Sequence, residues 1–71
     1  MKDIQFELTS GDYIQLIQLL KAANVVPSGS DAQQVVVQGL VKRNGEVELR
    51  KRAKCVVGDV IEFAGTRIML T

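Results

Sequence analysis

The chain contains no histidine and no tryptophan, a single cysteine, a single proline and only three aromatic residues, Phe6, Tyr13 and Phe63. Each shortage closes off a class of chemistry. Without histidine, the usual acid–base group at neutral pH is missing. Cys55 has Arg52 and Lys54 nearby in sequence, which would lower a thiol pKa, yet it has no histidine base to make it a nucleophile. It reads as a small buried core residue. A lone cysteine also rules out an internal disulfide, as expected of a reducing compartment. Neither a Cys/His cluster nor a glycine-rich phosphate cradle occurs, so no metal and no cofactor are expected. Asp59 and Glu62 are too weak a carboxylate pair to suggest catalysis, since Gly58-Asp59 reads first as a turn. No apolar run approaches the roughly 20 residues of a membrane span, and the first residues lack the apolar stretch of a signal peptide. A soluble cytoplasmic protein with no membrane partner is expected.

Few aromatics also mean that the core must rest on valine, leucine and isoleucine. Phe6, Phe63 and Tyr13 all read as core residues, Tyr13 with its hydroxyl reaching the surface. Recognition by base stacking is then disfavoured, because sequence-tolerant single-strand binders depend on exposed aromatic platforms. The chain has 71 residues, 46% of them apolar and 24% charged, as in an ordered single domain spanning 1–71. A domain this small buries only about 60% of its extended surface, which leaves no room for a large internal cavity.

What the chain does have is clustered positive charge. Six of its nine basic residues, Lys42, Arg43, Arg50, Lys51, Arg52 and Lys54, fall in residues 42–54; set against Glu46 and Glu48 they give the segment +4. Residues 1–41 carry −2 and residues 55–71 carry −1, so a net charge of +1 conceals a strongly cationic segment. Affinity for a polyanion depends on local charge density more than on the overall pI. A solvated strand face or loop is the alternative reading of the same run.

Ile4, Phe6 and Leu8 alternate with Gln5 and Glu7, the period of a half-buried strand. Thr9-Ser10-Gly11-Asp12 breaks the pattern, and Ser10 or Asp12 could cap a helix beginning there. Tyr13, Leu16, Ile17 and Leu20 share one helical face, which predicts a helix from Asp12 to Ala23, ended by Asn24. Next, Ser30-Asp31-Ala32-Gln33 has capping-box spacing, and Gly39 sits where a left-handed residue ends a helix. These local signals predict a helix from Ser30 to Gln38, against the β preference of Val35-Val36-Val37.

From Leu40 onward the pattern is β. Asn44-Gly45 is a strong hairpin signal. A two-residue loop would pair Val41 with Glu48 and Lys42 with Val47, mixing faces, and a longer loop also fits, so the register stays open. A turn at Val57-Gly58-Asp59 leads into a strand at Val60–Phe63, and Ala64-Gly65 leads into another at Arg67–Leu70. If Leu49–Cys55 is extended, Arg50, Arg52 and Lys54 share one face at about 6.6–6.8 Å spacing, a row of cations able to follow a phosphate backbone.

Three runs, Ser28-Gly29-Ser30-Asp31-Ala32-Gln33, Gly39-Leu40-Val41-Lys42-Arg43-Asn44-Gly45 and Val57-Gly58-Asp59-Val60-Ile61, in this order resemble the S-four RNA-binding domain, also called the alpha-L RNA-binding motif. Glu48-Leu49-Arg50-Lys51-Arg52-Ala53-Lys54 and Phe63-Ala64-Gly65 resemble its small stand-alone bacterial members of YbcJ type more closely still. The resemblance extends from Phe6 to Leu70. It implies an α+β fold, with two antiparallel helices packed on a small bent antiparallel sheet and a short strand at the N-terminus. It also implies that RNA is met by the start of the second helix, here Ser30, Gln33 and Gln34, and by the basic strand and loop, here Lys42, Arg43, Arg50, Lys51, Arg52 and Lys54. Gln33 is neutral where many relatives are basic, and Arg43 stands where relatives often place an apolar residue. In larger proteins such domains accompany pseudouridine synthases, tyrosyl-tRNA synthetases and ribosome-associated heat-shock proteins.

The combined expectation is a monomeric, non-enzymatic binder of structured ribosomal or transfer RNA, with the ribosome as a possible partner. Contacts should be ionic and hydrogen-bonded, directed at RNA backbone and shape. The competing expectation is a protein-interaction adaptor whose basic strand meets an acidic partner. DNA is disfavoured because the second helix lacks basic residues to present to a major groove.

Overall fold

The computed structural model describes residues 2–9 and 11–71. Strand β1 (Lys2–Phe6) is followed by a two-residue strand β2 (Ile14–Gln15) that runs directly into helix α1 (Leu16–Ala22). Helix α2 (Gly29–Val37) comes next, then short strands β3 (Lys42–Arg43), β4 (Glu46–Val47) and β5 (Lys54–Cys55) and the longer β6 (Val60–Phe63) and β7 (Thr66–Leu70). The main sheet has the order β1-β7-β6-β3-β4, and β2 pairs with β5 in a separate two-stranded ribbon. This is the expected α+β class. The main sheet is antiparallel throughout except at β1, which lies parallel to β7 with Ile4 beside Ile68 and Phe6 beside Leu70. Alternation in sequence shows which face of a strand is buried but not the direction of its partner.

The core is aliphatic, as the scarcity of aromatics requires. Leu16, Leu19 and Leu20 from α1, Ala32 and Val36 from α2, and Val41, Ile61, Ile68 and Leu70 from the sheet side are all buried. Burying each of the larger side chains contributes roughly 1.5–3 kcal/mol relative to exposure. Cys55 lies fully within this cluster, while Phe6 and Phe63 pack against it as partly buried neighbours. Tyr13 corrects the expectation: it is 43% exposed and stands outside the core.

Helix α1 begins later than Asp12. Residues 14 and 15 are extended and paired with Cys55 and Lys54, and Gln15 at the N-cap position makes no side-chain capping bond. Asp12 is therefore not the cap, and Ser10 lies outside the described residues. The helix is instead capped from a distance, by Leu16 N–H donating to the Ala53 carbonyl at 2.9 Å and Ile17 N–H donating to the Lys51 carbonyl at 3.2 Å. The far end is as expected. Asn24 takes a left-handed φ of +59°, and Val25 N–H reaches back to the Leu20 carbonyl at 3.2 Å.

Helix α2 starts one residue before the predicted position, and its cap lies two residues earlier. Ser28, not Ser30, is the N-cap, accepting from Asp31 N–H at 3.2 Å while its hydroxyl donates to the Asp31 carboxylate at 2.8 Å. Gly39 ends the helix at φ +76°, with Leu40 N–H donating to the Val35 carbonyl at 3.1 Å. The Asn44-Gly45 hairpin adopts the two-residue register, pairing Arg43 with Glu46 and Lys42 with Val47. Both turn residues have positive φ, +53° and +88°, the geometry that matches strand twist. The mixed faces are tolerated because Val47 is simply exposed, whereas Glu48 is drawn inward by Arg43 and Arg50.

Candidate nucleic-acid interface

The basic segment is a bent loop, not an extended strand. Residues 48–50 are irregular and Lys51-Arg52 form a turn closed by Ala53 N–H donating to the Arg50 carbonyl at 3.2 Å. Alternation of Arg50, Arg52 and Lys54 along one strand face therefore does not hold. Only Lys54 is in a strand. What holds the loop is its own backbone: the carbonyls of Lys51 and Ala53 satisfy the first N–H groups of α1, and Ala53 is buried beneath it. The side chains of Arg50, Lys51, Arg52 and Lys54 are left in solvent.

Arg43 has a different place. It is half-buried, and its Nε and Nη2 donate to Asp59 Oδ2 at 3.2 and 2.8 Å. Nη2 also donates to the Lys54 carbonyl at 2.7 Å, and Nη1 lies 3.5 Å from Glu48 Oε1. Asp59 further accepts from Val56 N–H at 2.9 Å and from Asn44 Nδ2 at 3.0 Å, while Asn44 Oδ1 accepts from Val60 N–H at 2.9 Å. The buried Asp59 carboxylate thus ties the hairpin to the 56–59 turn, and Arg43 ties both to β5. Burial alone would raise the Asp59 pKa, but the bonds from Asn44, Val56 and Arg43 outweigh it and hold the group below the ordinary carboxylate range.

Glu48 forms a second clasp. Its Oε2 accepts from the backbone N–H and Nε of Arg50 at 3.2 and 3.1 Å, and its Oε1 accepts from Arg50 Nη2 at 3.0 Å. The Arg50 hydrogen bonds outweigh the opposing effect of burial and lower the Glu48 pKa. Arg50 nonetheless keeps 75% of its side chain exposed. Neither Asp59 nor Glu48 stood out in the sequence as a site residue. The turn at Gly58-Asp59 and the Asn44-Gly45 hairpin were legible separately, but their joining through Arg43 was not.

Arg43, Arg50, Arg52 and Lys54 line one open cleft of about 450 Å³ with Ala53 at its base. Lys42, the neighbour of Arg43 on β3, lies instead along a cleft with Leu40, Glu62, Phe63, Ala64 and Gly65. Successive residues of a strand face opposite ways, so Lys42 is separated from the loop cations. Ser30, Gln33 and Gln34 are exposed on α2, and no hydrogen bond or ion pair among the described residues joins them to the loop. Among those residues, Lys42, Lys51, Arg52 and Lys54 have no carboxylate partner. Cys55 is fully buried and its thiol pKa is pushed up by burial to about 11, which makes it a poor nucleophile. The described residues contain no grouping of acidic, histidine or cysteine side chains fit to hold a metal ion.

A short basic loop held under the first helix, two helices and a small sheet define a compact binding module. Residues 6–71 match the model of the S4 domain family, and the chain belongs to that family. It is 37% identical over 65 residues to YbcJ of Escherichia coli (strain K12) and to YbcJ of Shigella flexneri, covering 92% of this chain and 93% of each relative. It is also 38% identical over 65 residues to a tyrosine–tRNA ligase of Cupriavidus pinatubonensis, of which it spans only 16%. The solution structure of E. coli YbcJ, which reveals an alpha-L motif involved in RNA binding, superposes with a TM-score of 0.73 at 36% identity, covering 94% of this chain and 85% of that one.

Proposed function

We propose that this S4 domain is a non-enzymatic RNA-binding module that grips the backbone of structured RNA, ribosomal or transfer, in the cytoplasm. The observation that carries this reading is the preorganised loop: four exposed cations, Arg50, Lys51, Arg52 and Lys54, on a backbone fixed by α1 and by Arg43. Preorganised charge loses little entropy on binding. Phosphates are neutralised by those four residues, with Lys42 adding a separate contact from the opposite side of β3. Arg43 acts mainly by holding the loop in place, and Ser30, Gln33 and Gln34 supply hydrogen bonds from α2. The likeness to E. coli YbcJ, whose motif is involved in RNA binding, supports the same reading.

The test is charge reversal. A doubly substituted variant, Arg50→Glu with Arg52→Glu, is expected to lose binding to ribosomal or transfer RNA in a gel-shift titration while its circular dichroism stays unchanged. Normal RNA affinity in that variant would overturn the site assignment. The adaptor reading draws on the exposed Val37, Leu40, Val47 and Leu49. Retention of a protein partner from nuclease-treated lysate, together with no RNA affinity, would favour it.

A further inference from the structure

Tyr13 is the aromatic residue that the core does not use. It is 43% exposed, and the Lys54 ammonium sits 5.0 Å from its ring centroid. The contact follows from the fold: β2 and β5 place Gln15 opposite Lys54 and Ile14 opposite Cys55, which brings Tyr13 alongside the last cation of the basic loop. Lys54 therefore belongs both to the cationic cleft and to the Tyr13 ring. Tyr13 also forms part of a second open cleft of about 430 Å³, lined by Gly11, Asp12, Ile14, Gln15 and Gln18 as well.

Resting on the RNA-binding reading above, we infer that Tyr13 is a stacking platform for one unpaired nucleobase, presented beside the phosphate-gripping loop. A single exposed tyrosine is ordinary by itself. Here it adjoins a cation that would already hold a phosphate, and the distance from a phosphate to its own base is spanned by one nucleotide. Stacking on an aromatic face is the common way in which splayed-out RNA bases are held. The Gln15 and Gln18 amides each offer a donor and an acceptor, and Asp12 offers an acceptor, to the edges of a base in that cleft. The loop then supplies affinity for any RNA backbone, and Tyr13 supplies a preference for a loop, bulge or end over a continuous duplex.

The composition provides the experiment, because Tyr13 is the only tyrosine and the chain has no tryptophan. Intrinsic tyrosine fluorescence of the full chain thus reports Tyr13 alone. Two probes are titrated: an RNA hairpin with an unpaired loop, and the same stem as a blunt duplex. Binding of the hairpin is expected to quench the emission, and binding of the duplex to leave it largely unchanged. Tyr13→Ala and Tyr13→Leu should weaken hairpin binding by about 5- to 150-fold, the range of one lost base stack, and leave duplex binding alone. Tyr13→Phe should bind like the parent. Hairpin binding without quenching, equal quenching by the duplex, or undiminished hairpin affinity in Tyr13→Ala would each overturn the stacking role while leaving RNA binding in place. Failure of the parent chain to bind either RNA would overturn the RNA-binding reading and this one with it.

Discussion

At the scale of the residue, the molecule depends on a few polar side chains in places where polarity is costly. Asp59 is the clearest case: it receives the Arg43 guanidinium, the Asn44 amide and the Val56 N–H. Its replacement by alanine strands three donors at once and should destabilise the fold by about 2–4 kcal/mol, measurable as a lowered urea midpoint. The pH dependence is set by the direction of the shift. Asp59 and Glu48 both titrate below their ordinary range in the folded protein, so their contribution is fully present above the unfolded carboxylate pKa of about 4. It is lost as the pH falls below that value and through the folded one, because the unfolded chain then binds protons first. Urea midpoints measured from pH 6 to pH 2 should show this acid limb, and Asp59→Asn should flatten it. Ser28 offers a sharper comparison. As the true cap of α2 it should lose about 1 kcal/mol on change to alanine, whereas Ser30→Ala, within the first turn, should be nearly neutral in the same assay.

At the scale of the element, the central fact is that α1 and the basic loop complete each other. A helix of seven residues has little stability of its own, and its first N–H groups are satisfied by Lys51 and Ala53. First-turn amides of most helices exchange quickly with solvent. Here those of Leu16 and Ile17 should be protected, as hydrogen-exchange NMR would show. Ala53→Leu should overfill the buried space under the loop, costing about 1–3 kcal/mol, and weaken RNA binding although no cation is changed. This long-range cap explains what could and could not be read in the sequence. Signals closed within a few residues were legible: the helix-ending Asn24 and Gly39, the Asn44-Gly45 hairpin, the alternation around Phe6. The start of α1 was not, because its partners lie more than thirty positions away. The expected row of Arg50, Arg52 and Lys54 fails for a related reason. Alternation assumes an extended chain, and nothing between Leu49 and Ala53 announces the turn at Lys51-Arg52. Tyr13 has the spacing of a helical face that begins only at Leu16, so its exposure is visible only in the fold.

At the scale of the whole molecule, charge is separated within a body of 27 × 24 × 22 Å. With Arg43 engaged internally, four or five cations remain to meet phosphates. Log affinity for RNA should then fall with log salt at a slope of about −3.5 to −4.5 by the duplex coefficient. A flat response across roughly 50–300 mM salt would count against the ionic grip. Lys51, Arg52 and Lys54 are exposed and have no carboxylate partner among the described residues, so substitutions of these side chains should alter binding with little change in stability. The reverse should hold for Leu20 or Ile61, where truncation to alanine should cost about 2–5 kcal/mol.

The parallel seam between β1 and β7 joins Lys2 to Thr66 and Phe6 to Leu70, the first and last strands of the domain. Contacts of such long sequence separation form late, after the loop-closure entropy has been met. During translation α1 waits for the basic loop that caps it, and the sheet stays open until β7 has left the exit tunnel. Closing of the sheet therefore requires residues 66–70 to be free of the ribosome.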